Sequence, residues 1–166
     1  MRPQTLVPVE DYLRTSYSPD CDYVDGVLLE RNVGEYDHAR LQTRLAIYLG
    51  AREKQWGIRV LVEQRLQVKP TRFRVPDVCA LKADEPVEQI ITRPPLVCVE
   101  ILSPDDRLSS LQEKIDDYLS FGTSWVWLVD PRTRRLWACT AAGMQEVKDG
   151  VLRAGAIEVP LAELFD

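Results

Sequence analysis

Leu96-Val97-Cys98-Val99-Glu100-Ile101-Leu102 has the length of a strand and a single polar residue. Near-continuous apolar runs of this kind are buried on both faces, as in a central strand with helices on either side. Ser103-Pro104-Asp105-Asp106 breaks the run. Residues 107–121 then carry Leu108, Leu111, Ile115, Tyr118 and Leu119 at helical spacing, with Gly122 as the stop. Trp125–Val129 is a second apolar strand. A strand–helix–strand unit in this order implies a right-handed crossover and a parallel pair.

The remaining elements are of another kind. Residues 7–13 read as a short helix with Pro8 and two acids in its first turn. Tyr23–Glu30 reads as a hairpin turned at Asp25-Gly26. Residues 36–56 read as one long helix ended by Gly57, and residues 58–68 as one alternating strand. Residues 74–81 form a further strand with Pro76 at an edge or bulge, and 83–95 form a loop. Asp149-Gly150 marks a hairpin between 144–147 and 151–153, and 160–165 closes as a short helix. The expectation is an α/β fold, a mixed sheet flanked by helices with antiparallel hairpins. The 166 residues suit one domain.

Several function classes fall away. No apolar run approaches the ~20 residues that span a bilayer, and the first residues lead into no signal-peptide core, so a cytoplasmic protein is expected. The four cysteines form no CxxC pair and His38 is the one histidine, which disfavours structural zinc. Cys79 and Cys98 read as small buried hydrophobes. There is no glycine-rich phosphate loop, and no nucleophile is paired with His38.

Charge is unevenly spread. The net charge is −5, yet residues 40–74 hold nine Arg or Lys against two acids. Such a segment suits a phosphate-facing strip; it equally suits solvated helix and strand faces.

Glu100 is the anomaly of the central run, because a buried carboxylate is costly unless it is paired or metal-bound. Asp77 stands in a similar setting at the head of Val78–Leu81. If these two strands are neighbours, both acids reach the same sheet edge. Two converging carboxylates either raise one pKa or hold a hard divalent cation. Mg²⁺ fits, since it needs one or two carboxylates and keeps several waters. On a 100° helical wheel Lys114 lies beside Tyr118, at the border of the buried face, so it can lean towards Glu100. Glu113 faces solvent.

These residues resemble a known family. Pro76-Asp77, then Val99-Glu100-Ile101-Leu102-Ser103-Pro104, then Glu113-Lys114, look like the Uma-type restriction-endonuclease family, a bacterial group within the PD-(D/E)XK nuclease superfamily. Tyr23–Leu28, Asp37-His38 and Trp127-Leu128-Val129-Asp130-Pro131 extend the similarity to roughly residues 8–165. The resemblance implies a restriction-endonuclease-like core and a Mg²⁺-dependent DNA endonuclease, with Mn²⁺ as a substitute. Asp77, Glu100 and the backbone carbonyl of Ile101 would hold the metal. The superfamily lysine expected two residues after Glu100 is Leu102 here, so Lys114 takes its role. His38 and Glu30 become accessory residues. His38 is either a helix-start contact, a phosphate contact or a hydrogen-bond donor to a site carboxylate. Arg40, Arg44, Arg72 and Arg74 are the candidate nucleic-acid contacts, and a homodimer is expected. The alternative is a non-catalytic module that keeps the fold and binds nucleic acid or protein.

Overall fold

The computed structural model describes residues 4–32 and 34–165. In chain order the elements are α1 (Val9–Arg14), β1 (Asp22–Val24), β2 (Val27–Leu29), α2 (Tyr36–Gly50), α3 (Glu53–Trp56), β3 (Ile58–Val62), β4 (Leu66–Lys69), β5 (Arg72–Arg74), β6 (Val78–Lys82), β7 (Val97–Ile101), α4 (Leu108–Phe121), β8 (Trp125–Asp130), β9 (Arg135–Thr140), β10 (Gly143–Glu146), β11 (Val151–Ala154) and β12 (Ile157–Pro160). A 3-10 turn at Leu161–Glu163 follows.

The main sheet has the order β10-β9-β8-β7-β6-β3. Only β7 and β8 run parallel, in the register Ile101↔Val129, as the crossover through α4 demands. The strand β7 is buried at all five positions. Alternation along it divides the core in two. Val97, Val99 and Ile101 join Leu41, Leu45 and Leu49 of α2 on one face. Cys98 joins Ile115 and Tyr118 of α4 on the other. By the same alternation Glu100 lies on the α4 face. All four cysteines are free thiols and buried.

A second sheet, β2-β1-β5-β4, is antiparallel throughout. Tyr23 and Phe73 pack with Tyr12 of α1 on one face. The alternate residues Asp22 and Arg74 are also buried, and they meet α4 residues.

Four sequence expectations need correction. Residues 74–81 are not one strand: Arg74 ends β5 in the second sheet, and β6 begins at Val78 in the main one. The run 58–68 is not one strand: Glu63 takes φ 51°, and the chain leaves β3 in the main sheet to enter β4 in the second. The helix expected over 36–56 breaks at Ala51–Arg52. There the Arg52 guanidinium stacks on the Tyr48 ring at 3.7 Å and donates to the Tyr48 carbonyl at 2.9 Å. No hairpin forms across Asp149-Gly150. Residues 143–146 pair with β9, and β11 pairs instead with β12 across Gly155.

Candidate active site

The antiparallel register of β6 on β7 sets Val78 opposite Val99. One step further along the same ladder brings Asp77 to Glu100. Both are almost wholly buried, at 3% and 5% exposure. Together with Ile101 and Lys114 they line a cavity of about 50 Å³ at the carboxyl end of β7. That is room for an ion or a few waters.

The two carboxylates sit in opposite environments. Asp77 Oδ1 accepts from the Arg31 guanidinium at 2.8 Å and lies 3.3 Å from His38 Nε2; its Oδ2 accepts from the Ile101 amide at 2.7 Å. Burial works to raise this carboxyl, but the His38 hydrogen bond, the two cations and the amide more than offset it. Asp77 therefore stays below the usual carboxylate range. The same hydrogen bond raises His38 and favours its imidazolium form. Glu100 accepts from Tyr118 Oη at 2.6 Å, and Lys114 Nζ stands 3.5 Å from its other oxygen. Here burial wins. With Asp77 and Asp22 also nearby, it outweighs Lys114 and pushes Glu100 up to about 7. Lys114 is itself disfavoured by burial, but Glu100, Asp22 and Asp77 raise its pKa and keep it an ammonium.

Beneath this pair lies a second charged layer. Asp22 on β1 is 3.6 Å from Lys114 Nζ and 3.2 Å from Arg74. Arg74 also binds Asp117 of α4 at 2.7 Å. Lys114 thus sits between two buried carboxylates, Glu100 above and Asp22 below.

The structure brings together Asp77, Glu100, Lys114, Ile101 and His38, with His38 in its role as donor to a site carboxylate. Glu30 is exposed and lies outside the cavity lining. Several arginines of the basic segment are engaged within the protein. Arg74 is 1% exposed, so its charge is committed to Asp22 and Asp117 inside the protein. Arg72 binds Asp25 and Asp117, and Arg65 binds Asp20. Arg44 donates to the Glu163 carbonyl. Arg40 borders a separate cavity beside the first turn of α2.

Sequence reasoning missed Arg31, Asp22 and the role of Tyr118. Tyr118 was legible only as an apolar position on α4. Asp22 sits in a hairpin strand whose pairing with β5 has no local signal.

Among the described residues no cluster of three or more His, Cys, Asp or Glu side chains is arranged to hold a metal. Two carboxylates are a sufficient donor set for Mg²⁺, which fills its remaining positions with water. The Ile101 amide points at Asp77, and in an extended strand a residue's N–H and C=O point to the same side. Its carbonyl therefore points to the Asp77 side of the strand. The donor set fits a small hard divalent cation.

An acidic pair at the end of adjacent strands, with a lysine leaning in from the crossover helix, defines an α/β protein of the nuclease-like class. A family model described as "Putative restriction endonuclease" matches residues 9–160, and the chain belongs to that family, Uma2. A crystal structure described as "a putative nuclease belonging to DUF820", from Anabaena variabilis, superposes with a TM-score of 0.82 at 19% identity. The match covers 96% of this chain and 97% of that one, and it shows the shared fold. No curated protein matches the chain. No helix among the described residues is long and apolar enough to cross a membrane.

Proposed function

We propose that the chain is a Mg²⁺-dependent DNA endonuclease, with Mn²⁺ able to replace Mg²⁺. The observation that carries this reading is the meeting of Asp77, Glu100 and Lys114 in one cavity. Asp77, Glu100 and the Ile101 carbonyl would hold the cation. When bound, the cation supplies Lewis acidity towards a phosphate oxygen and makes a nearby water more acidic.

The protein's own groups do the rest. Arg31 and His38 fix Asp77 and keep it ionised. Tyr118 fixes one oxygen of Glu100 and leaves the other towards Lys114. The Lys114 ammonium stands at the cavity and offers positive charge to the phosphate as negative charge develops on it. Two such domains pair as a homodimer to reach both strands.

The test is nicking of supercoiled plasmid in Mg²⁺ or Mn²⁺, against EDTA and against Asp77→Asn and Glu100→Gln. Cleavage by the unchanged protein that both substitutions abolish supports the reading. Equal cleavage by all three proteins removes it.

A second reading has one observation in its favour. Both oxygens of Asp77 are already engaged by Arg31, His38 and Ile101, as in a structural ion cluster. A binding module that keeps the fold would neither cleave nor gain thermal stability from Mg²⁺.

A further inference from the structure

The helix that delivers Lys114 starts at the rim of the acidic cavity. Arg107, Ser110, Leu111 and Lys114 all line that cavity, at the i, i+3, i+4 and i+7 positions of one helix face. Arg107 is the exposed N-cap residue of α4. Lys114 stands two turns further on, about 10 Å along the axis.

This helix start runs against its own stability. N-caps favour Ser, Thr, Asp or Asn, and first turns favour acids, because both satisfy the free amides at the positive end of the helix dipole. In α4 the N-cap is an arginine, no side chain caps the amides, and the first turn holds no acid. A cation placed at that end is unfavourable unless an anion comes to meet both.

The Arg107 charge is also unpaired. The other cations of the lining are engaged: Arg31 with Asp77 at 2.8 Å, His38 with Asp77 at 3.3 Å, and Lys114 with Glu100 at 3.5 Å and Asp22 at 3.6 Å. The acids just before Arg107 do not take it. Asp106 accepts from the Asn32 side chain with one oxygen and from the Ser103 amide with the other, both at 2.8 Å. Asp105 borders a small neighbouring cavity with Glu35. The Arg107 side chain has no hydrogen-bond or ion-pair partner among the described residues. A second donor of the lining is idle too: Arg31 Nη1 is buried without a hydrogen-bond partner, and the Glu63 carboxylate is 3.9 Å away.

We infer that Arg107 is the residue that takes hold of the substrate, its guanidinium binding a backbone phosphate of the nucleic acid against the first turn of α4. A guanidinium fork matches two phosphate oxygens, and the uncapped amides of a helix start suit the same anion. Held there, the phosphate lies on the helix face that carries Lys114, at the mouth of the cavity that Asp77 and Glu100 line. The inference rests on the nuclease reading and names the residue by which the chain grips its substrate.

The test measures binding of the full chain to a fluorescein-labelled DNA duplex by anisotropy over a range of salt in EDTA, with plasmid nicking in Mg²⁺ and thermal melting followed in parallel. The variants are Arg107→Ser, Arg107→Lys and, as a control outside the cavity lining, Lys148→Gln. Arg107→Ser should make the salt slope shallower by about 1 and lower the affinity about tenfold. Because serine is a good N-cap, the same variant should melt about 2–4 °C higher. Arg107→Lys should keep the slope at an intermediate affinity, since the charge stays and the fork goes. Lys148→Gln should change neither. If the unchanged protein binds and nicks DNA while Arg107→Ser keeps its slope and affinity, or loses no more than Lys148→Gln, the inference is overturned and the nuclease stands. A drop of several degrees in melting for Arg107→Ser also overturns it, since Arg107 would then support the fold. If the unchanged protein neither binds nor nicks DNA, the nuclease reading falls, and the inference with it.

Discussion

Glu100→Gln should stabilise the metal-free protein at high pH. Glu100 is 5% exposed, and its folded pKa is about 7 against an ordinary 4.5. A carboxyl whose folded pKa lies above its unfolded one binds protons more tightly in the folded state. The stability it contributes is therefore whole below about pH 4.5 and is lost as pH rises to about 7. Above that the fold carries the full cost of the buried anion, about 3 kcal/mol for a gap of this size. Glutamine keeps an oxygen for the Tyr118 hydroxyl and has no anion to bury. For a chain of 166 residues, about 3 kcal/mol corresponds to a melting temperature higher by roughly 6–12 °C at pH 8. The advantage should shrink steadily towards pH 5. Mg²⁺ should close the same gap from the other side by stabilising the unchanged protein and not the variant. Calorimetry of both proteins in EDTA and in Mg²⁺, from pH 5 to pH 8, supplies every comparison. A variant that melts at or below the unchanged protein at pH 8, with no pH trend in the difference, would refute the idea that burial sets the Glu100 proton affinity.

Removing the cation of the lower layer should do the reverse. Arg74→Met leaves Asp22 and Asp117 buried without their main partner, a loss of about 3–5 kcal/mol, or roughly 6–20 °C in thermal melting. Arg153→Gln, whose partners Asp149 and Glu158 are both more than half exposed, should cost about 1 kcal/mol or less in the same assay. Lys114→Met should lower single-turnover plasmid cleavage in Mg²⁺ by about 10²–10³, and an unchanged rate would remove Lys114 from the chemistry. Leu45→Ala, fully buried beneath β7, should cost about 2–5 kcal/mol in chemical denaturation, while Ile47→Ala on the exposed side of α2 should cost little.

What the sequence reveals of this fold follows a physical line. The strand–helix–strand unit was legible because each of its elements carries its own period, and its parallel pairing follows from chirality. Glu100 was legible because one carboxylate among six apolar neighbours has no cheap explanation. Lys114 was legible because a helical wheel places it beside Tyr118, and the structure finds it 3.5 Å from Glu100. The break at Glu63 was hidden because the alternation is the same on both sides of it and neither Gly nor Pro marks the turn. Asp149-Gly150 carries a hairpin signal, but partner choice among strands is tertiary, and β10 found β9. Counting arginines in 40–74 could not separate solvated charges from Arg74, whose partners lie 52 and 43 residues away. Arg31 was hidden for the same reason: its partner Asp77 is 46 residues distant.

The contrast between the two acids bears on how such a site works. Asp77 is clamped by Arg31, His38 and a backbone amide, which together favour its ionised form. Glu100 has a hydroxyl and one distant ammonium, and its proton is held until about pH 7. A cation entering the cavity therefore meets one permanent anion and one that must give up a proton. Its affinity should be pH-dependent, rising through the Glu100 titration and levelling above it, because ligation requires the carboxylate form. The lower layer sharpens this arrangement. Lys114 is shared between Glu100 and Asp22, so neutralising Glu100 does not release the lysine; Asp22 still holds it at 3.6 Å. The ammonium thus remains at the cavity in both protonation states of Glu100, as the proposed phosphate contact requires. The buried Asp22–Arg74–Asp117 layer meets the cavity lining at Lys114, which Asp22 holds from below.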